Sequence, residues 1–142
     1  MFLGEYEYKV DSKGRLPLPP KFRQEFGPEL VLTRGVEACI VAYPVAEWQK
    51  LAETLAARNV TGSKLRKLHR YTFGSAYSLA LDGQGRIVLP LTHRNYAQID
   101  NDAIIVGANN CIEIWNPTLW NSEKASAEEQ VYQIIESLEG QQ

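Results

Sequence analysis

Residues that commonly hold metal ions or form disulfides are scarce in this chain of 142 residues. Its two cysteines, Cys39 and Cys111, each lie within an apolar, strand-like run, so we expect small buried thiols rather than a disulfide or a metal site. With only two histidines, His69 and His93, a zinc cluster then lacks ligands. We therefore expect no metal ion and no other cofactor.

Long hydrophobic runs are also absent. A helix needs about 20 apolar residues to span a bilayer, and no run in the sequence approaches that length. The first residues, MFLGEYEYK, lack the basic region and apolar core of a secretory signal. We therefore expect a cytoplasmic protein that contacts no membrane. With 44% hydrophobic residues, the chain has enough apolar side chains to bury a core of its own.

The motifs of common enzymes are missing as well. The stretch DGQGR, residues 82–86, lacks the glycine pattern of a phosphate-binding P-loop and the Lys-Ser/Thr pair that opens a long helix, and its arginine enters a strand instead. No Ser-His-Asp set and no duplicated pair of carboxylates stands out. We therefore expect a protein that is not an enzyme and that has no small-molecule substrate.

Positive charge is unevenly distributed. The formal net charge is −2, which by itself argues against binding to nucleic acid. Residues 1–72 carry twelve Lys or Arg against eight Asp or Glu, whereas residues 73–142 carry three against nine. Basic side chains are densest in SKLRKLHR, residues 63–70. The positive charge is therefore local to the first half of the chain.

The sequence contains an internal duplication. The segment DSKGRLPLP at residues 11–19 recurs in similar form as DGQGRIVLP at residues 82–90. At an offset of 71, further identical residues align, and small insertions extend the match: Phe2 with Phe73, Tyr6 with Tyr77, Arg23 with Arg94, Cys39 with Cys111 and Pro44 with Pro117. Two copies are too few for a solenoid, so we expect one domain with pseudo-twofold symmetry.

Each copy has the pattern of a small β-rich unit. Alternating strands such as EYEYKV run into an Asp and Gly turn and return as RLPLP or RIVLP, which predicts a β-hairpin. A short helix, two more strands and a closing helix follow. The pattern predicts a mainly β protein with helices, of the α+β class. We divide the chain into a first repeat with its helix (1–58), a basic connecting helix (59–72), a second repeat (73–120) and an amphipathic C-terminal helix (121–142).

The duplicated turn has two interpretations. Hairpin turns use Asp and Gly for conformational reasons alone, and on that view four residues touch no ligand: Asp11, Gly14, Asp82 and Gly85. A turn needs no guanidinium, yet Arg15 and Arg86 follow the glycine in both copies. A guanidinium suits bidentate recognition of a phosphate or a guanine edge. The alternative is that each arginine pairs with the aspartate of its own copy.

The doubled Asp-x-x-x-Arg motif behind MFLGEY resembles the MraZ family, bacterial transcriptional regulators built from two SpoVT-AbrB-type repeats. The resemblance covers roughly residues 1–120. It implies a swapped-hairpin β-barrel of the AbrB-like type, completed by two copies in one chain. It also implies a ring-like homo-oligomer at the nucleoid, which binds direct repeats of double-stranded DNA in the promoter of its own operon, within the cell division and wall cluster.

The resemblance carries the DNA-contacting motif onto both turns, and the candidate DNA-binding residues are Asp11, Lys13, Gly14, Arg15, Asp82, Gln84, Gly85 and Arg86. The second copy departs from the first, because neutral Gln84 stands where the first has Lys13. If both turns touch DNA, we expect the first to contribute more attraction.

Two helices and one rival function leave alternatives open. The basic connecting helix is either a second phosphate-binding surface or a solvated linker. Its four cations are spread around it, and they are Lys64, Arg66, Lys67 and Arg70. The C-terminal helix packs either on its own barrel or on a neighbouring subunit.

The rival function is a protein-binding module, an AbrB-like partner of the antitoxin type. Such proteins usually carry a disordered tail, whereas this C-terminus has helical periodicity.

Overall fold

A computed structural model describes residues 1–57 and 61–140. Within these residues the chain forms eight strands and five helices, which are β1 (Glu5–Lys9), β2 (Arg15–Pro17), α1 (Pro20–Phe26), β3 (Glu29–Arg34), β4 (Ile40–Pro44), α2 (Val45–Ala56), α3 (Gly62–Gly74), β5 (Tyr77–Ala80), β6 (Arg86–Val88), α4 (Leu91–Ala97), β7 (Asp102–Gly107), β8 (Ile112–Trp115) and α5 (Pro117–Glu139). This order repeats once, with α3 between the copies. The division that we placed between residues 58 and 59 lies outside the described residues.

The two copies share one sheet. Six strands pair in the order β1-β7-β8-β4-β3-β5, and β2 pairs separately with β6. All of these pairings are antiparallel. The first strand of each copy pairs with the third strand of the other, β1 with β7 and β5 with β3. The α+β class predicted from the sequence is confirmed, but the chain is not mainly β, because the five helices contain more of the described residues than the eight strands. The copies interlock instead of lying side by side.

The predicted local hairpin is wrong in its pairing. Strand β2 does return from the turn, but its ladder partner is β6 of the other copy. Pro17 has no N–H to donate, and the three-residue β2 finds its partners in an equally short strand. The hydrogen-bonded strands of the described residues do not close into a barrel, because β1 and β5 remain edges of the six-stranded sheet.

Strands β2 and β6 form a two-stranded ribbon, and the alternation of apolar and polar residues explains where it lies. Leu16 and Ile87 face each other in its centre and are almost fully buried. They join the main core with residues from the inner face of the six-stranded sheet and from the short helices α1 and α4, among them Phe22, Leu32 and Ile105. Side chains point alternately to opposite faces of a strand. The neighbours of Leu16 and Ile87 therefore face outward.

A second apolar cluster covers the opposite face of the sheet. It contains both cysteines with Val41 and Trp115, and Leu119 at the start of α5 packs against it. Cys39 and Cys111 are both buried and free, as predicted. Among the described residues, no helix combines the length and the apolar character that crossing a membrane requires.

Candidate nucleic-acid interface

The first duplicated turn is built around one carboxylate. Oδ1 of Asp11 accepts hydrogen bonds from the backbone N–H groups of Lys13 (3.0 Å) and Arg15 (2.9 Å). The N–H of Gly14 donates to the carbonyl of Asp11 at 2.9 Å. Gly14 has a φ of +77°, a conformation that side chains with a Cβ disfavour. Aspartate and glycine thus have the conformational role that the sequence suggests.

The second turn repeats this geometry. Oδ1 of Asp82 accepts from the N–H groups of Gln84 and Arg86, both at 2.9 Å. Gly85 donates to the carbonyl of Asp82 at 2.9 Å and has a φ of +74°. The local sequences differ at two positions inside the turn, and the hydrogen bonds are the same. The backbone therefore follows from the aspartate and the glycine.

Each arginine also pairs with its own aspartate. Nε of Arg15 donates to Oδ2 of Asp11 at 2.5 Å, and Nε of Arg86 donates to Oδ2 of Asp82 at 2.8 Å. The backbone N–H of the arginine, and after it the guanidinium, hold the pKa of each aspartate below its ordinary value. The carboxylates therefore stay ionised at neutral pH.

This pairing leaves most of each guanidinium available. An arginine has five N–H donors, and the bond to aspartate uses only the one at Nε. Within the described part of the chain, the terminal nitrogens of Arg15 and Arg86 have no hydrogen-bond partner. The two side chains are 33% and 26% exposed. The aspartate thus fixes the direction of the arginine and does not occupy its terminal donors.

The ribbon places both arginines on one surface. In its register, Arg15 lies opposite Val88, and Arg86 lies opposite Pro17. These four residues share the face away from the core, since Leu16 and Ile87 fill the other face. Arg15 and Arg86 are thus diagonal neighbours, and general sheet geometry separates their Cβ atoms by somewhat less than about 7–8 Å. The duplication brings together two motifs that lie 71 residues apart in the chain.

Two further arginines, whose role at the site we did not predict, pack against the glycines of the turns. Nε of Arg94 donates to the carbonyl of Leu89 at 3.0 Å, and its guanidinium lies so close to Gly14 that a Cβ there would be 2.9 Å from Cζ. Nε of Arg23 donates to the carbonyl of Leu18 at 2.9 Å and packs against Gly85 in the same way. Each turn thus receives an arginine from the other copy.

The sequence contained one signal for this arrangement, because the repeat alignment pairs Arg23 with Arg94. Their contact with the turns could not be seen without knowing that the copies interlock. A Cβ at Gly85 would overlap the side chain of Arg23, and a Cβ at Gly14 would lie 2.9 Å from Cζ of Arg94, so the glycines serve close packing as well as a positive φ.

The two turns differ in charge at their tips. Lys13 is exposed, and within the described residues it makes no ion pair. The corresponding residue in the second turn, Gln84, is exposed and neutral. Both turns have one aspartate, their own arginine and one arginine from the other copy. The first turn therefore exceeds the second by one positive charge.

The basic helix does not join this surface. Helix α3 contacts β3 on the sheet face where Thr33 bonds to Ser75 and Thr72, and the ribbon lies on the other face. Its inward residues are half-buried, and they are Leu65, Leu68, His69 and Thr72. All four cations are exposed, and they are Lys64, Arg66, Lys67 and Arg70. These cations lie on the part of the helix that is open to the solvent.

Comparison with known proteins agrees with the doubled architecture. A family model described as "MraZ protein, putative antitoxin-like" matches residues 1–70 and 72–137. A protein named "Transcriptional regulator MraZ" from Dehalococcoides mccartyi is 49% identical over 141 residues, 99% of each chain. Proteins of the same name from Syntrophomonas wolfei and Lactobacillus gasseri are 43% and 42% identical, over 97% and 98% of this chain and 96% and 97% of theirs. That name denotes a regulator rather than an enzyme. The chain belongs to the MraZ family.

Proposed function

We propose that this chain is a DNA-binding transcriptional regulator and that the outer face of the β2–β6 ribbon is its DNA-binding surface. One observation carries the proposal: Arg15 and Arg86 lie on the same outward face, with their terminal nitrogens available. A two-stranded β-ribbon fits the major groove, where arginine bonds to guanine. Relatives named as transcriptional regulators support this assignment.

Residues of the two turns have distinct roles in the proposed complex. Arg15 and Arg86 contact base edges or phosphates, while Asp11 and Asp82 hold them in place. Lys13 supplies a point charge for the phosphate backbone, and Gln84 supplies a neutral polar contact. Gly14 and Gly85 allow the backbone to approach the duplex closely.

Assembly compensates for the acidic net charge. A ring-like homo-oligomer presents the ribbon once per subunit, so that contacts with successive direct repeats of DNA become intramolecular and gain from effective concentration. The proposed target is the promoter of the chain's own operon in the cell division and wall cluster, and the proposed location is the nucleoid in the cytoplasm.

The interlocked topology also supports a finer description of the fold. We infer that the turns and return strands are the exchanged hairpins of an AbrB-like barrel, in which the ribbon covers the sheet through side-chain packing. The first repeat with its helix occupies 1–58, the connecting helix 59–72, the second repeat 73–120 and the C-terminal helix 121–142. Each repeat supplies half of the strands, and neither supplies a complete ladder for its own return strand.

The test compares substitutions in the two turns. Arg15→Ala should weaken operator binding by roughly 1–3 kcal/mol per engaged subunit if the arginine reads a guanine, without changing the oligomer mass. Lys13→Ala should weaken binding to every sequence and lower the salt slope by about one charge per engaged subunit. Arg86→Ala should have a smaller effect. Gln84→Lys is the reciprocal control, since it should raise affinity and steepen the salt slope.

The measurement is fluorescence anisotropy with upstream DNA of the chain's own gene and with scrambled DNA, at several salt concentrations. If Arg15→Ala remains oligomeric and binds operator like the wild type, the ribbon does not read DNA and the proposal fails. If the wild type shows no salt-dependent binding to any duplex, the alternative is favoured. That alternative is an antitoxin-like protein-binding module, in line with the description of the family.

A further inference from the structure

The duplication allows one buried position to be compared between the two copies. In the first copy, the ring of Tyr6 packs edge-on against Phe22, with 5.4 Å between the ring centroids. In the second copy, Tyr77 packs edge-on against His93 at 5.3 Å. The repeat alignment at an offset of 71 pairs Phe22 with His93, and both side chains are almost fully buried. A buried phenylalanine of the first copy is therefore a buried histidine in the second.

His93 brings polar atoms that this packing does not need. Its Nε2 lies 2.7 Å from the carbonyl oxygen of Ser75, and since a carbonyl oxygen only accepts, Nε2 carries a proton and donates. Burial lowers the pKa of His93, so the ring is neutral at pH 7 and Nδ1 is a hydrogen-bond acceptor. Within the described residues this buried Nδ1 has no hydrogen-bond partner. An unpaired buried acceptor is destabilising, and Phe22 shows that the fold does not require one here.

A cavity of about 190 Å³ lies beside His93. It is lined from the ends of β3 and α3, the start of β5 and helix α4, and the lining includes Arg34, Ser75, Tyr77, Thr92, His93 and Tyr96. In the first copy, the ring of Phe2 covers Phe22, packing on it edge-on at 5.1 Å. The counterpart of Phe2 in the second copy is Phe73, which packs on Trp48 and His69 instead. Phe73 therefore does not cover His93 as Phe2 covers Phe22.

The guanidinium of Arg34 is held at this cavity by two aromatic rings. Its Cζ lies 4.7 Å from the ring centroid of Tyr71 and 5.4 Å from that of Tyr96, within the range of cation–π attraction. Both tyrosine hydroxyls donate to the carbonyl oxygen of Gly35, at 2.7 and 2.6 Å, which fixes the rings. Within the described part of the chain, Nε of Arg34 is buried without a hydrogen-bond partner, and the side chain makes no ion pair. The guanidinium is thus positioned, and its charge is not compensated.

The first copy has a glycine in place of this arginine. The registers of the strand ladders equate Arg34 of β3 with Gly107 of β7. A Cβ at Gly107 would lie 2.5 Å from the backbone nitrogen of Leu3, so the chain itself fills that space in the first copy. Histidine instead of phenylalanine and arginine instead of glycine therefore change a packed apolar position into a polar cavity.

We propose that this cavity binds a small oxyanion that also carries a hydroxyl group, with Arg34 bonding to the charged oxygens and Nδ1 of His93 accepting from the hydroxyl. A guanidinium suits phosphate and carboxylate oxygens. A neutral Nδ1 needs a donor, which inorganic phosphate and hydroxy acids supply at neutral pH and which sulfate and simple carboxylates lack. One water molecule needs roughly 10–15 Å³ of such space, so the cavity has room for an ion of this class.

The first experiment is calorimetric titration of the full chain in a phosphate-free buffer at constant ionic strength and pH 7. The probes form two matched pairs, phosphate with sulfate and lactate with propionate, and each pair differs in the hydroxyl group. The hydroxyl-bearing member of a pair should bind once per chain and about tenfold or more tightly than its counterpart, because the counterpart leaves a buried acceptor unpaired. The tighter of phosphate and lactate identifies the source as inorganic or organic.

Substitutions then test the two residues separately. Arg34→Met should weaken binding of phosphate and lactate about tenfold or more, since a hydrogen-bonded charge is lost. Arg66→Met is the matched control, because it removes the same charge from an exposed position of α3 outside the cavity, and it should leave binding unchanged. If circular dichroism shows that Arg34→Met does not fold, Arg34→Lys replaces it; that variant keeps the charge without the fork of donors and should bind more weakly than the wild type.

His93→Phe tests the acceptor by installing the residue of the first copy. The fold accommodates phenylalanine at Phe22, so the variant should remain folded. Its ratio of phosphate to sulfate affinity should fall towards one, because Nδ1 is removed while Arg34 remains. A purely structural role of His93 would change the affinities for both ions together and leave their ratio unchanged.

The outcomes decide the proposal without any measurement on DNA, so its failure is distinct from failure of the proposed function. Absence of saturable binding by both phosphate and lactate overturns the site. Binding that survives Arg34→Met and is lost in Arg66→Met places the anion on α3 and also overturns it. Equal wild-type affinities for phosphate and sulfate, and for lactate and propionate, overturn the role of Nδ1 and with it the class of ligand. Loss of affinity in Arg34→Met together with loss of selectivity in His93→Phe supports the site.

Discussion

The close packing of each turn on an arginine from the other copy predicts unequal effects of two similar substitutions. Gly14 and Gly85 have nearly the same φ, +77° and +74°, so alanine should cause the same backbone strain at either position. The surroundings differ. A Cβ at Gly14 would lie 2.9 Å from Cζ of Arg94, at the far end of a flexible side chain. A Cβ at Gly85 would overlap Nε and Cδ of Arg23.

The magnitudes follow from these contacts. Placing alanine in the left-handed region costs about 1–2 kcal/mol, and the loss of glycine's freedom in the unfolded chain offsets about 0.4–1 kcal/mol. Gly14→Ala should therefore lower the free energy of unfolding by about 1 kcal/mol. Gly85→Ala must also displace Nε of Arg23 from the carbonyl of Leu18. A hydrogen bond from a charged group contributes about 1.5–3 kcal/mol, so the total should reach about 3 kcal/mol.

Urea denaturation followed by tryptophan fluorescence measures both effects, with a double-mutant cycle as the control. In an Arg23→Ala background the overlap is absent, so Gly85→Ala should cost about 1 kcal/mol, as Gly14→Ala does in the wild type. Equal destabilisation by the two glycine substitutions in the wild type would refute the reasoning. So would a cost of Gly85→Ala that is unaffected by removal of Arg23.

Three more outcomes test other parts of the structure. Burial raises the pKa of the Cys39 thiol far above its ordinary value and that of Cys111 to about 11, so both should react slowly with a thiol reagent until urea is added; fast labelling would contradict this. Burial lowers the pKa of His93, so the unfolded chain takes up the proton first. Stability should therefore fall as pH drops below about 6.5, with a smaller slope in His93→Gln. Asn116 caps α5 through two backbone N–H groups, so Asn116→Ala should lower unfolding free energy by about 1 kcal/mol in urea titrations.

The sequence was sufficient to predict the turns because their geometry is local. Asp11 bonds to backbone groups only two and four residues away, and the same holds for Asp82. The burial of Cys39 and Cys111 was also predictable, since each lies in an apolar run. Interactions of this range depend on residue type and spacing alone.

Strand partners could not be obtained in this way. The alternation in β2 determines which residues face the core, and Leu16 is buried as that pattern requires. The same alternation fits pairing with β1 or with β6, because side-chain period carries no information about the neighbouring strand. The structure selects β6. Arg23 and Arg94 were missed for the same reason, since each supports a turn of the opposite copy.

The duplication explains why the two turns can differ while sharing one surface. Two identical chains could build the same interlocked sheet, but they would carry identical turns. Fusion into one chain places exactly one copy of each repeat in every unit, so a change at one turn is not repeated at the other. Lys13 and Gln84 show this divergence, whereas the aspartate, glycine and arginine of both turns are retained. The retained residues are those that the ribbon geometry requires, and the tip residue, which is exposed in both turns, can change the charge without changing that geometry.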